Sequence, residues 1–355
     1  MEHLTLAGRR VGPGCPPYVV AEIGANHNGD LALCRRLVLA AREAGADAVK
    51  FQSWSKASLV SRAEFARDTQ YARANGHGGN GGAPTLEEAV ARYQLSPDQH
   101  REVAAFCREA GVVFFSSCFA PAEVDLLASL DVPAYKVASM DVNHLPLLRY
   151  VAATGRPVIL STGMATLGEV ERALDTLRAG GAGPVALLHC VSAYPTPPAD
   201  VHLRNMATLE RAFGAPVGYS DHALGNAVAL AAVALGACLV EKHFTVDKAL
   251  PGWDHGISAD PPEFAALVAG AREVYAALGS ARRVVGAAQL EKRKAFRRRA
   301  VLRRSLAAGS ALTADDLEFK RPGTGIGPDE VDYLVGRRLA RAVAAEEELA
   351  WGDLA

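Results

Sequence analysis

The sequence lacks the features that would mark a polyanion binder, a disulfide-framed protein or a membrane protein. Its 38 Lys and Arg against 39 Asp and Glu leave a net charge of −1. Nucleic-acid binders carry a basic excess, and this chain has none. Six cysteines (Cys15, Cys34, Cys107, Cys118, Cys190 and Cys238) form no C-x-x-C pair. Most fall inside apolar strand or helix patterns, so they read as buried free thiols in a reducing compartment. No run of about 18 uncharged apolar residues suggests a membrane span. No charged segment followed by a long apolar run opens the chain, so no signal peptide and a cytoplasmic location are expected. Aromatics make up only 6% of the residues. The core must therefore be built from Ala, Val and Leu, for which a hydrophobic content of 50% is ample.

What the chain does have is a regular alternation of strand-like and helix-like runs from about residue 18 to 278. Strands are expected at 18–24, 46–52, 112–117, 134–139, 157–161, 185–190, 215–222 and 237–244. Helices are expected at 30–44, 97–110, 121–130, 145–153, 167–179, 200–213, 223–235 and 261–278, with Asp30 as an N-cap and Gly111 as a left-handed C-cap. Eight such units in about 260 residues are the count and size of a (β/α)₈ TIM barrel. The rival, an open doubly wound sheet, lacks its glycine-rich dinucleotide turn after the first strand. A length of 355 residues favours one large domain and a small one. The expected division is a catalytic barrel at 1–280, a basic linker at 281–298 and a small β-rich domain at 299–355. Ten Lys and Arg between Arg282 and Arg304, with Glu291 almost the only acid, suit a solvated linker or helix face. A long insertion separates Ser53 from Ser96 and contains the glycine-rich stretch 76–82. It reads either as a lid over the barrel mouth or as a tolerated surface insertion.

In such a barrel the chemistry collects at the strand ends. Those ends supply Glu22, Lys50, Gln52, Ser117, Lys136, Ser139, Asp141, Ser161, Ser192, Tyr194 and Ser220. Lysine inside an apolar strand is costly without a partner. Lys50 and Lys136 amid hydroxyls therefore suggest an anionic ligand, most simply a phosphate. The alternatives are internal ion pairing, as of Lys50 with Glu22 or Glu241, and a Schiff-base lysine of an aldolase barrel. The last two strands each end on a histidine, in Ser220-Asp221-His222 and Glu241-Lys242-His243. As neighbouring parallel strands they would bring His222 and His243 together, either as ligands of a divalent metal or as unrelated histidines. Asp221 and Glu241 are expected to orient those ligands from behind.

Several ordered motifs resemble the sialic acid synthase family. They are 21–29 (AEIGANHNG), 49–52 (VKFQ), 135–139 (YKVAS), 160–164 (LSTGM), 188–190 with 194–197 (LHC and YPTP), 220–222 (SDH) and 241–245 (EKHFT). Residues 304–305 and 320–323 are similar to that family's C-terminal antifreeze-like (SAF) domain. The resemblance implies a synthase condensing phosphoenolpyruvate with an N-acetylmannosamine-like amino sugar to a nonulosonic acid, with release of phosphate. The same condensation on another acceptor, in capsule, spore-coat or natural-product biosynthesis, is the alternative. A non-catalytic carbohydrate-binding protein is a third reading.

The resemblance also implies roles. His222 and His243 match ligands of a divalent metal, manganese first, with magnesium or cobalt as substitutes. Lys50, Ser117, Lys136, Ser139, Ser161 and Ser220 match phosphoenolpyruvate-binding positions, and Glu22 an acid at the reacting centre. Gln52, Asp141, Tyr194 and Asp254 match positions near the sugar or the metal, Asp254 with a catalytic part. Arg321 matches an arginine contributed across a domain-swapped homodimer to the sugar's acyl group. Ser192 stands where many members have asparagine, Asp141 where glutamate is usual, and Trp253 is an unusual neighbour of the mouth. These departures crowd the acceptor side and leave the donor side intact.

Overall fold

The computed structural model describes residues 2–67, 85–321 and 323–355. The chain divides into two compact units, Met1–Gly279 and Ser280–Ala355. The glycine-rich stretch 76–82 lies outside the described residues.

The first unit opens with a hairpin, β1 (Leu4–Leu6) against β2 (Arg9–Val11), that the sequence did not suggest. Its two-residue turn places Ala7 at φ 46° and Gly8 at φ 81°. Both lie in the left-handed region that a tight hairpin turn requires. Alanine there is strained, and the pair lacks the usual Asn-Gly signature. Leu4, Leu6 and Val11 are buried in the barrel's core. Arg9 pairs with Asp47, just before a barrel strand starts, so the hairpin sits at the N-terminal end of the barrel.

Eight parallel strands then close on themselves. They are β3 (Tyr18–Gly24), β4 (Ala48–Ser53), β5 (Val113–Cys118), β6 (Tyr135–Val137), β7 (Val158–Ser161), β8 (Val185–Cys190), β9 (Val217–Asp221) and β10 (Leu239–His243), with β10 paired back to β3. Nearly every residue of these strands is buried, the pattern of strands covered on both faces. The helices that follow obey local rules. Asp30 caps its helix by accepting from the Ala32 N–H, and Gly111 ends another at φ 73°. β6 is shorter than expected, because Ser139–Asp141 turns into a 3₁₀ segment. Among its described residues the insertion after β4 carries three short helices, Lys56–Leu59, Arg62–Arg67 and Leu86–Tyr93. No described helix is long and apolar enough to cross a membrane.

In the second unit the basic run folds into an exposed helix, Ala287–Phe296. An antiparallel pair follows, β11 (Arg299–Leu302) with β12 (Leu317–Lys320). Isolated bridges and 3₁₀ turns complete it around a small core that includes Leu302, Leu312, Ile326, Leu334 and Leu349.

Candidate active site

Alternation along each strand decides which strand-end residues face inward. Ser220 and Glu241 point into the barrel, while Asp221 and Lys242 point out. Asp221 accepts from Lys242 Nζ at 2.6 Å, from the Tyr219 hydroxyl and from the Ala223 N–H, all away from the mouth. The expectation that Asp221 orients the histidines is therefore corrected: it belongs to an outer ion pair. Glu241, expected behind the ligands, lines the cavity itself.

That cavity, of about 310 Å³, opens at the C-terminal ends of the strands. It gathers Glu22, Lys50, Gln52, Ser117, Lys136, Ser139, Ser161, Ser192, Tyr194, Ser220, His222 and His243. Asp254 stands at the edge, its Oδ2 3.7 Å from Nδ1 of His243. Asp141 is not on the cavity wall; it is buried in the 3₁₀ turn with Oδ2 unpartnered. Arg321 belongs to the second unit, where its guanidinium lies over Phe296 at 5.4 Å. Cys190, Phe119, Leu59, Met140 and Met164 also line the cavity. Cys190 ends β8 on the inward side and was legible by alternation, whereas no sequence signal marks the other four. Trp253 packs beside the mouth in an aromatic cluster, 6.1 Å from Trp54 and edge-on to Tyr93 at 5.0 Å.

The two lysines differ. Lys50 is ion-paired to Glu22, donates to Ser117 Oγ at 3.1 Å and lies 3.9 Å from Glu241. Internal pairing is therefore real for Lys50. Lys136 donates only to the carbonyl of Val137, at 3.1 Å, and among the described residues no carboxylate lies within ion-pairing distance. It is 3% exposed. A buried ammonium with unused N–H donors can receive an anion. Nearby, the buried Ser161 hydroxyl has no hydrogen-bond partner among the described residues. Ser139 accepts from the Gly163 N–H at 3.0 Å. A Cβ on Gly163 would come within 2.6 Å of Ser192 Oγ and 2.8 Å of Ser139 Oγ, so only glycine lets both serines close over that backbone.

The titratable groups are displaced accordingly. Burial pushes the Glu22 carboxyl up to about 7 against the pull of Lys50. Gln52 donates to its Oε1 at 2.8 Å. Burial would also raise Glu241, but the ammonium groups of Lys50 and Lys136 outweigh it and hold that carboxyl below its ordinary range. Burial depresses Lys136, whereas Lys50, despite its burial, is raised by Glu22 and Glu241. Burial depresses His243 too, which favours the neutral, ligating imidazole.

His222 and His243 lie side by side, ring centroids 5.4 Å apart, with Tyr194 against His222 at 4.2 Å. Nδ1 of His222 is 2.7 Å from the Val191 carbonyl, which can only accept. The proton is therefore on Nδ1, and Nε2 offers its lone pair. Nδ1 of His243 is buried without a hydrogen-bond partner among the described residues. Among the described residues no three His, Cys, Asp or Glu side chains converge to cage a metal unaided. The donor set fits an ion held by two imidazoles whose remaining positions go to substrate or water.

The NeuB family model matches residues 37–283, and the SAF domain model matches residues 297–355. An N,N'-diacetyllegionaminic acid synthase of Legionella pneumophila is 40% identical over 94% of this chain and 93% of its own length. The spore coat polysaccharide biosynthesis protein SpsE of Bacillus subtilis is 35% identical over 100% of this chain and 98% of its own. Among solved structures, the N-acetylneuraminic acid synthetase of Leptospira borgpetersenii, in complex with citrate, superposes with a TM-score of 0.71 at 32% identity, over 82% of this chain and 95% of its own. With a family model spanning most of the barrel and relatives matched nearly end to end, the chain belongs to the NeuB family, and its second unit is a SAF domain.

Proposed function

We propose that the protein condenses phosphoenolpyruvate with an open-chain amino sugar, N-acetylmannosamine-like in character, giving a nonulosonic acid and inorganic phosphate. The observation that carries this reading is the pairing, in one cavity, of a buried ammonium with no ion-pair partner among the described residues, Lys136, with two adjacent histidines. Named relatives are synthases of such acids, which supports an enzyme over a non-catalytic carbohydrate binder.

Lys136, Lys50 and the hydroxyls of Ser117, Ser139, Ser161 and Ser220 bind the phosphate and carboxylate of the donor. Gln52 donates to Oε1 of Glu22, and the Lys50 ammonium faces Oε2. A carboxyl poised near neutrality there can accept the proton of the water that adds to the enol carbon. Tyr194, Gln52, Ser192 and Asp254 orient the acceptor, and Asp141 supports the strand-end turn from behind the wall. His222 and His243 would hold a divalent ion, Mn²⁺ first and Mg²⁺ or Co²⁺ as substitutes, whose chemistry is Lewis-acid polarisation of the acceptor's carbonyl.

Exposed apolar side chains around the mouth, Met140, Met164, Leu167, Tyr194 and Leu224, support a second copy covering it and contributing Arg321 in a domain-swapped homodimer. Five of the six unpaired cysteines are buried, which supports a reducing, cytoplasmic setting. The same condensation on a different acceptor is a second reading, favoured by the likeness to the spore coat protein.

The test is phosphate release from phosphoenolpyruvate with Mn²⁺ and a panel of amino-sugar and neutral aldoses. Release that requires an amino sugar supports the proposal. Release only with another aldehyde selects the second reading, and none with any acceptor refutes the condensation.

A further inference from the structure

The chain from Pro251 to Ser258 carries Asp254 at the rim of the mouth and is fastened at both ends. Asn28 Nδ2 donates to the Pro251 carbonyl at 2.8 Å. At the far end Asn26 Nδ2 donates to Ser258 Oγ at 2.8 Å, and that hydroxyl donates to the Asp254 carbonyl at 2.6 Å. Gly252 passes tightly between these supports. A Cβ there would come within 2.6 Å of the His255 ring and 2.8 Å of Asn28 Oδ1. These contacts hold the main chain. The Asp254 carboxylate itself stands 3.7 Å from His243 Nδ1, longer than a hydrogen bond, so its aim depends on how the residue beside it is seated.

That residue is Trp253. Its half-buried ring stacks on Trp54 at 6.1 Å and 28°, and meets Tyr93 edge-on at 5.0 Å and 86°. Offset-stacked and edge-on are the favourable arrangements of aromatic pairs. Trp54 and Tyr93 are buried in a small apolar cluster separate from the barrel's core. Among the described residues Trp253 is the one member of that cluster from beyond residue 138. Leu59, Phe119 and Ala138 belong to the same cluster and also line the catalytic cavity. One ring therefore joins the loop that carries Asp254 to the insertion that builds part of the cavity wall.

We infer that Trp253 is a positioning residue: seated between Trp54 and Tyr93, it locks the 251–258 loop to the insertion and so aims the Asp254 carboxylate into the mouth. The effect on turnover rests on the condensation proposed above, whereas the lock does not.

The experiment is a double-mutant cycle in the full chain, with Trp253→Ala, Asp254→Asn and the two combined, and with Trp253→Phe as the conservative variant. Phosphate release gives kcat and KM for each substrate, and hydrogen exchange read by mass spectrometry reports the opening of 251–258. Trp253→Ala should lower kcat/KM for the amino sugar by about tenfold to a hundredfold, the cost of a misplaced group, and leave KM for phosphoenolpyruvate within about twofold. In the Asp254→Asn background the same change should cost no more than about threefold, because the carboxylate it aims is already gone. Trp253→Phe, which keeps an aromatic ring in the seat, should recover most of the loss. Amides of 251–258 should exchange about tenfold faster in Trp253→Ala and at the wild-type rate in Asp254→Asn. A ring that merely stabilises the fold would give losses that multiply in the double variant. That result, an unchanged kcat/KM in Trp253→Ala, or unchanged exchange over 251–258 overturns the proposal. Should the wild type release no phosphate with any acceptor, faster exchange in Trp253→Ala that Trp253→Phe reverses upholds the lock and refutes only the condensation.

Discussion

Lys50 and Lys136 look alike in the sequence, yet replacing each with methionine should move stability in opposite directions. Lys136 is buried, 3% exposed, with one hydrogen bond to a carbonyl and no ion-pair partner among the described residues. Methionine of similar length removes a charge whose burial cost exceeds its pull on Glu241, since its own ionisation is depressed, so Lys136→Met should match or exceed the wild type in Tm. Its donor-binding role disappears, however. Losing a charged partner of a buried anion costs about 3–4 kcal/mol. That corresponds to a fall in kcat/KM for phosphoenolpyruvate of roughly 10²–10³. Lys50→Met instead strands Glu22 and Glu241 as buried carboxylates beside each other. Breaking a buried pair costs about 3–5 kcal/mol, and at roughly 2 °C or more per kcal/mol its Tm should drop by roughly 6 °C or more. Differential scanning calorimetry with steady-state phosphate release on both variants checks the pair. A destabilised Lys136→Met, or one that keeps its kcat/KM, would show that Lys136 is a structural charge and not a receptor.

Further outcomes follow from the same geometry. Glu22, raised to about 7, must be ionised to accept a proton, so kcat/KM should fall as pH drops through about 7, and that limb should vanish in Glu22→Gln. Burial raises the Asp141 carboxyl from 3.8 to about 6, so its contribution to stability is whole below about 3.8 and is lost as pH rises through about 6. Asp141→Asn should therefore raise Tm more at pH 8 than at pH 5, and equal gains at both would contradict this. At Gly24, φ 50°, a Cβ would sit 2.7 Å from Glu22 Oε1 and 3.0 Å from Gln52 Nε2. Gly24→Ala should lower kcat by about tenfold or more by displacing the Glu22–Gln52 hydrogen bond, with a stability loss of about 1 kcal/mol, read by kinetics and by urea melts. His222→Ala and His243→Ala should each abolish Mn²⁺ binding measured by electron paramagnetic resonance, while the barrel's Tm in chelator stays near that of the wild type. Mn²⁺ binding unchanged in either variant removes the two-histidine site.

The barrel was legible because its strands are continuous apolar runs and its helices carry plain caps, as at Asp30 and Gly111. Most of the site followed, since a parallel barrel sends every strand end to one mouth. What escaped depended on geometry that residue type does not announce. The hairpin turn at Ala7 uses alanine where glycine or asparagine is usual. Asp221 and Glu241 looked equivalent beside the histidines, yet the two-residue period of a strand turns one outward to Lys242 and the other into the cavity. Asp141 left the wall because β6 gives way to a 3₁₀ turn after three residues. Met164 reaches the mouth from a loop, and Met140 and Leu59 from a 3₁₀ turn and a one-turn helix too short for periodicity to assign a direction.

The central claim is a carbon–carbon bond made at this mouth, and following one carbon tests it most directly. Phosphoenolpyruvate labelled with ¹³C at its methylene carbon is turned over with Mn²⁺ and an amino-sugar acceptor, and the products are read by nuclear magnetic resonance. The label should appear as the methylene of a new acid bonded to the acceptor's former aldehyde carbon, one for each phosphate released. Label recovered as the methyl group of pyruvate would mean that the site merely hydrolyses its donor, and the account would be wrong.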